Sequence, residues 1–377
     1  MESQKTNIKR VTLFEDGARQ NRDIYIVGGT IKLIREDVRQ GVFSGVYELD
    51  ADGLFALPLF TDCGCFALGL KDLELPKLSL QEYKRFGFFS FITMLNPLDN
   101  PARLLEQKEC VGVYGKAGMF PRYITGGTRN KMYHLGENIY EDIIKSEYCA
   151  GASALVEDRE LGIDHARFAN MARQVAAAAA DTDRPCVTIA LLGDAAVDFA
   201  FIDEALGLGT EYGTVIPAFV NRNKGTLNAG LLHLNEGGLI MLVACGDTAR
   251  MNAGCIPLSQ SLARIMQARG NLDGVLAASY SGGFLPKKDT NSLDVRGEIV
   301  NLSSELREAI SLGVPITEVL KTVTKNPAAV FGLDHLKISE DRYARFLLAD
   351  EDLNIKYIVD GNQIYPPDSY RTPVLFF

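Results

Sequence analysis

Short apolar runs alternate along most of the chain with stretches whose apolar positions recur every three or four residues. Runs at Leu57–Phe60, Phe88–Leu95, Val111–Tyr114, Tyr148–Leu155, Cys186–Leu192, Thr214–Phe219, Leu239–Cys245 and Gly274–Ser279 lack a polar face. That pattern predicts strands buried on both sides. Between them Asp164–Ala180, Ala195–Leu206, Lys224–Glu236 and Ser259–Gly270 carry the i, i+3, i+4 spacing of amphipathic helices. Eight such strands alternating with helices predict an α/β fold of the (β/α)8 type, over residues 55–337. A doubly wound open sheet is the alternative, but no GxGxxG follows the first strand and no GxxxxGK[ST] occurs. The ends differ. Asp23–Val27, Thr30–Ile34 and Gly45–Leu49 are short, β-rich and separated by turn residues, as are Arg345–Leu348, Ile355–Val359 and Gln363–Tyr365. Residues 1–54 together with 338–377 are therefore expected to pair into one small β-sandwich.

Composition narrows the function. With 47% hydrophobic and 23% charged residues, collagen-like and largely disordered classes are excluded. A net charge of −9 argues against a nucleic-acid surface or an anionic membrane patch. No apolar run approaches a membrane span, and the stretch MESQKTNIKRVTLFEDGARQ has no signal-peptide core. Seven cysteines are few and odd in number, which fits a reduced, cytoplasmic protein better than a disulfide framework. Only four histidines are present, so a metal centre built from imidazoles would have almost none to spare.

Several motifs occur in a familiar order. Pro58–Phe66 (PLFTDCGCF) resembles the PGFID-x-H-x-H segment that closes the first barrel strand of the amidohydrolase superfamily. Arg122–Gly126 (RYITG), Phe168–Ala172 (FANMA), Val187–Asp194 (VTIALLGD) and Ile216–Asn223 (IPAFVNRN) resemble segments of its isoaspartyl dipeptidase branch. The resemblance implies an amidohydrolase barrel with a β-sandwich from both termini, and a homo-oligomer. In that family two metal ions are held by four histidines, a carbamylated lysine and an aspartate. Carried over by motif, those positions fall here on Gly64, Phe66, Leu191 and Phe219, at or next to Tyr148, and on Tyr280. None of these offers zinc an imidazole or a carboxylate. The expectation is a chain without metal or other cofactor: a pseudoenzyme that binds a carboxylate ligand or serves in assembly. The alternative is an enzyme hydrolysing a small carboxylated amide or dipeptide by metal-independent or cysteine-based chemistry.

The resemblance also points to Arg159 and Arg222, at positions where the family grips substrate carboxylates, with Asn221 beside Arg222 as a further ligand-binding candidate. A guanidinium fork suits a planar carboxylate, whereas ion pairing to loop acids would make both arginines structural. Asn221 and Asn223 also suit turn chemistry. Among the remaining groups, His134, His165, His233 and His335 are expected in surface or packing roles. Cys63, Cys65, Cys149 and Cys245 fall near the expected C-terminal strand ends, but small buried cysteine is a common core residue. Asp62 matches a structural aspartate, and Asp194 is placed to cap the helix after it. Phe66, Phe219, Tyr280 and Phe284 would refill the emptied site with aromatic bulk.

Overall fold

The computed structural model describes residues 4–15, 18–36, 45–66, 82–94, 120–125, 139–158, 162–193, 196, 198–245, 254–281, 284–285, 295–333 and 337–367. The N-terminal part forms β1 (Lys5–Glu15), β2 (Ala18–Val27), β3 (Thr30–Arg35), β4 (Val46–Asp50) and β5 (Phe55–Leu57). Eight strands follow: β6 (Phe60–Cys65), β7 (Phe88–Met94), β8 (Phe120–Thr125), β9 (Cys149–Val156), β10 (Val187–Leu192), β11 (Val215–Ala218), β12 (Ile240–Val243) and β13 (Val275–Ala278). Helices lie between and after them: α1 (Ile139–Lys145), α2 (His165–Thr182), α3 (Ala200–Gly207), α4 (Lys224–Asn235), α5 (Leu258–Arg269), α6 (Ile299–Ser311), α7 (Ile316–Lys321) and α8 (Lys325–Phe331). Two-residue strands β14 (Phe284–Leu285) and β15 (Val295–Arg296) pair with each other. The chain ends in β16 (Arg345–Ala349), β17 (Ile355–Asp360) and β18 (Gln363–Tyr365).

Strands β6 to β13 form one parallel sheet in sequence order. Its edges meet at their C-terminal ends, where Tyr280 N donates to Gly64 O and Phe66 N to Ser281 O, each at 2.8 Å. Most of the sheet is buried on both faces, which is why its strands read as unbroken apolar runs. The helices carry local signals. Asp164 caps α2 through the Arg167 amide, and Asn223 and Thr226 form a reciprocal capping box on α4.

Both termini join one hydrogen-bonded sheet in the order β18-β17-β16-β5-β1-β2-β3, with β4 alongside β1. Its own core holds Ile8, Val11, Ile24, Ile26, Phe346 and Leu348. Phe55 and Leu57 on β5 and Leu347 on β16 instead pack with the parallel sheet.

Four expectations need correction. The run at Leu57–Phe60 is split between sheets: β5 pairs with β16 and β1, and the first parallel strand starts only at Phe60. The third parallel strand is Phe120–Thr125; Val111–Tyr114 lies outside the described residues. The helix expected from Ala195 begins at Ala200, and its start carries no side-chain cap; Asp194 lies outside the described residues. Finally, β1 has no counterpart among the expected strands. A bulge between Ile8 and Val11, with Arg10 at φ 57°, shifts the buried positions and breaks the two-residue period.

Candidate functional site

The C-terminal ends of the parallel strands hold the site residues. Asp62 on β6 is fully buried. Its Oδ1 accepts from the backbone amides of Ser279 (2.9 Å) and Gly64 (3.2 Å). Its Oδ2 accepts from the Tyr83 hydroxyl (2.6 Å) and from the Ser279 hydroxyl. Burial pushes the carboxyl up to about 6, against the four hydrogen bonds that favour the charged form. Asp62 thus ties the first parallel strand to the end of the last.

Next to it the surroundings of Gly64 are apolar. A Cβ built on Gly64 would lie 2.7 Å from Met94 Cε, 3.2 Å from Met241 Sδ and 3.2 Å from the Ala278 Cβ. A side chain at this position would have to displace the Met94 methyl and press on Met241 and Ala278. Phe66 meets Tyr280 edge-on at 5.4 Å, and Tyr280 meets Phe219 at 6.0 Å. Leu191, Phe66, Phe219 and Tyr280 are all buried. Burial pushes the Tyr280 phenol up, and the Arg222 charge opposes that shift. Three non-glycine residues immediately or closely after parallel strands have left-handed backbones: Glu157 (φ 53°), Phe219 (φ 67°) and Tyr280 (φ 52°). Bulky residues held in this conformation carry local strain.

Arg222 is half-buried, with Nη1 donating to the Leu192 carbonyl (2.9 Å) and its guanidinium carbon 5.7 Å from the Phe219 ring centre. Asn221 is fully buried. Its Nδ2 donates to the carbonyls of Val243 and Ile256, both at 2.8 Å, and its Oδ1 accepts from the Val243 amide (2.9 Å). Asn221 is therefore a fastener between β12 and the segment leading to α5, which fixes the backbone next to Arg222. Asn223 caps α4. Arg159, the second arginine candidate, lies outside the described residues, as do His134 and His335.

Two placements differ from expectation. Tyr148 and Cys149 stand at the start of β9, at the opposite end from Gly64 and Phe66. The strand closes instead on Val156, followed by Glu157, whose carboxylate pairs with His165 Nε2. The strand ends within a residue of the expected Leu155; only the motif position carried to Tyr148 falls at the wrong end of it. The acidic pair Glu157–Asp158 right after Val156 marks the true strand end in the sequence. Cys63 and Cys65 are buried within β6, and burial pushes the Cys63 thiol up. Sequence reading also passed over Tyr83, Ser279 and Cys255, whose roles depend on contacts distant in the chain. Among the described residues no three His, Cys, Asp or Glu side chains gather closely enough to hold a metal ion.

His233 is buried at the end of α4, between the rings of Phe199 (5.8 Å) and Tyr212 (4.5 Å). A Cβ on Gly238 would meet its ring at 2.3 Å, so glycine closes the pocket. Burial lowers the imidazole pKa. The folded form is the weaker proton binder, so this group's contribution is complete above about pH 6.5 and lost as pH falls through the lower folded value. Urea unfolding on either side of about pH 6.5 should show wild type losing more stability on acidification than His233→Gln.

No family model matches the sequence, and no curated protein is similar to it. Solved structures are. The chain is similar to β-aspartyl dipeptidase from the thermophilic keratin degrader Fervidobacterium islandicum AW-1, solved in complex with a β-Asp-Leu dipeptide. The identity is 20%, the TM-score 0.80, and all of both chains is covered. It is also similar to molinate hydrolase (11% identity, TM-score 0.65, covering 98% of this chain and 96% of that one). A third is N-isopropylammelide isopropylaminohydrolase from Burkholderia multivorans ATCC 17616 (13% identity, TM-score 0.64, covering 96% and 98%). With its parallel eight-stranded sheet and the terminal sheet beside it, the chain has the amidohydrolase fold in the form seen in β-aspartyl dipeptidase.

Proposed function

We propose that this chain is a (β/α)8 barrel of the isoaspartyl dipeptidase kind that works without a binuclear metal centre. In this reading it binds a small carboxylate at the mouth of the barrel, as a pseudoenzyme and a subunit of a cytoplasmic homo-oligomer. The observation that carries the proposal is the packing around Gly64. Met94, Met241 and Ala278 occupy the space where the resemblance calls for imidazole, and Phe66, Phe219 and Tyr280 fill the rest. Thioether, methyl and phenyl groups do not replace the hard or borderline ligands that zinc takes. A metal pair does not fit these residues.

Arg222 supports the binding half of the reading. Its position is set by the Leu192 carbonyl, the Phe219 ring and the Asn221 clamp behind it, so little ordering is left to accompany capture of an anion. A guanidinium so placed favours a planar carboxylate, with Arg159 as the second fork and Asn221 as its support. The related dipeptidase was solved with a β-Asp-Leu dipeptide, and an acidic dipeptide is the first ligand to try. Buried Cys63 and Cys65 give no support to the cysteine-based alternative, because a nucleophile must be reachable and ionised. A thermal-shift screen of amino acids, dicarboxylates and acidic dipeptides tests the proposal. An acidic ligand should raise the melting temperature, and Arg222→Ala should weaken its binding by about 1.5–3 kcal/mol, roughly ten- to a hundredfold. If no carboxylate shifts the transition, the mouth of the barrel is structural only.

A further inference from the structure

We infer that Cys245 and Cys255 constitute a disulfide-forming site beside the C-terminal end of β12. Their sulfurs lie 3.0 Å apart, and both cysteines are free thiols. The surrounding bonds hold each partner independently of the residues between them. On one side, the Cys245 amide donates to Glu305 Oε1 (2.8 Å) and its thiol to the Val243 carbonyl (3.4 Å). On the other, the Ile256 amide donates to the Asn221 carbonyl (2.9 Å), and Asn221 Nδ2 reaches the Ile256 carbonyl (2.8 Å). The same Nδ2 lies 3.8 Å from Cys245 Sγ, so one buried amide joins Cys245 to the residue that follows Cys255. Glu305 repeats the pattern through the Ser259 amide (3.3 Å) at the start of α5. Closing the bond needs only about an ångström of approach, to the usual ~2.0 Å of a disulfide.

Exposure assigns the order of events. Cys245 is buried, whereas Cys255 is half-exposed. The Cys255 thiolate attacks a low-molecular-weight disulfide, forming a mixed disulfide and releasing one thiolate. Cys245 then gives up its proton and attacks Cys255 Sγ, which expels the second small thiolate. Two protein thiols become one disulfide, one small disulfide becomes two thiols, and the two protons pass to the released thiolates. The contact with Cys255, then burial, push the Cys245 thiol up, so Cys245 is suited to resolving rather than initiating. The site shares Asn221 with the clamp beside Arg222 but does not rest on the carboxylate reading.

The test uses the full chain, reduced, freed of reductant and then equilibrated with oxidised glutathione. Remaining thiols are alkylated and the protein is digested without reduction. The expected product is a peptide pair linked through Cys245 and Cys255, with two of the seven thiols lost and both recovered on reduction. Buried Cys63, Cys65, Cys149 and Cys186 should stay unlinked in the same sample. The oxidised protein should also melt at a higher temperature than the reduced one, and Cys255→Ser should abolish that difference. Seven thiols still open to alkylation after denaturation, or glutathione left on Cys255, would overturn the inference. So would an oxidised form that melts below the reduced one.

Discussion

Asp62→Ala should lose about 3–5 kcal/mol of unfolding free energy, the largest single loss expected from a polar residue of the site. The substitution removes an acceptor from the Ser279 and Gly64 amides and takes a partner from two buried hydroxyls. Asp62→Asn should be far milder. Its carbonyl can keep both backbone amides, and its NH2 can donate to Tyr83 and Ser279 once their hydroxyls rotate. The pair of variants also separates charge from geometry. Asp62 has a folded pKa of about 6, above its unfolded 3.8, so the folded form is the better proton binder. Its contribution is therefore complete below the unfolded value and lost as pH rises through about 6. Relative to Asp62→Asn, wild type should lose up to about 3 kcal/mol across that window. Urea unfolding of the three proteins at several pH values measures this. Equal pH profiles for wild type and Asp62→Asn would mean that Asp62 keeps an ordinary carboxylate pKa.

The double variant Gly64→His with Phe66→His should lose about 1–3 kcal/mol and gain no dipeptidase activity. At position 64 the first side-chain carbon already meets Met94 Cε at 2.7 Å, so a full imidazole forces two methionines and Ala278 apart. At position 66 the change breaks the edge-on contact with Tyr280. Two imidazoles also leave the bridging and proton-handling groups missing, and groups that act as a unit are grossly non-additive. The measurements are urea unfolding and β-Asp-Leu hydrolysis with added Zn²⁺. Turnover above background would contradict the metal-free reading proposed above.

The architecture was legible because parallel strands buried on both faces leave long apolar runs, as at Phe88–Met94 and Val187–Leu192. Helices with capping residues, such as Asp164 before α2 and Asn223 before α4, were placed to within one or two residues. Strand ends were harder. β6 reads FTDCGC, and its Thr, Asp and Gly look like a loop until Tyr83 and Ser279 supply the partners of Asp62. β1 was hidden by the bulge at Arg10, which no residue composition announces. In the site, the absence of imidazole at Gly64, Phe66, Leu191 and Phe219 could be read directly. That Met94 and Met241 pack against Gly64 could not, because they are 30 and 177 positions away in sequence. Asn221 was weighed as a ligand or a turn residue. Its clamp on Val243 and Ile256 appears only when β12 and the start of α5 are brought together.

The metal content of the purified full chain decides whether the protein holds a metal pair. The protein is dialysed against excess Zn²⁺, freed of unbound ion and assayed for bound zinc, then crystallised from the same sample. Far less than one zinc per chain is expected, with side chains alone between Gly64, Phe66, Phe219 and Tyr280. Two zinc ions per chain, seen there roughly 3.5–4 Å apart, would contradict it.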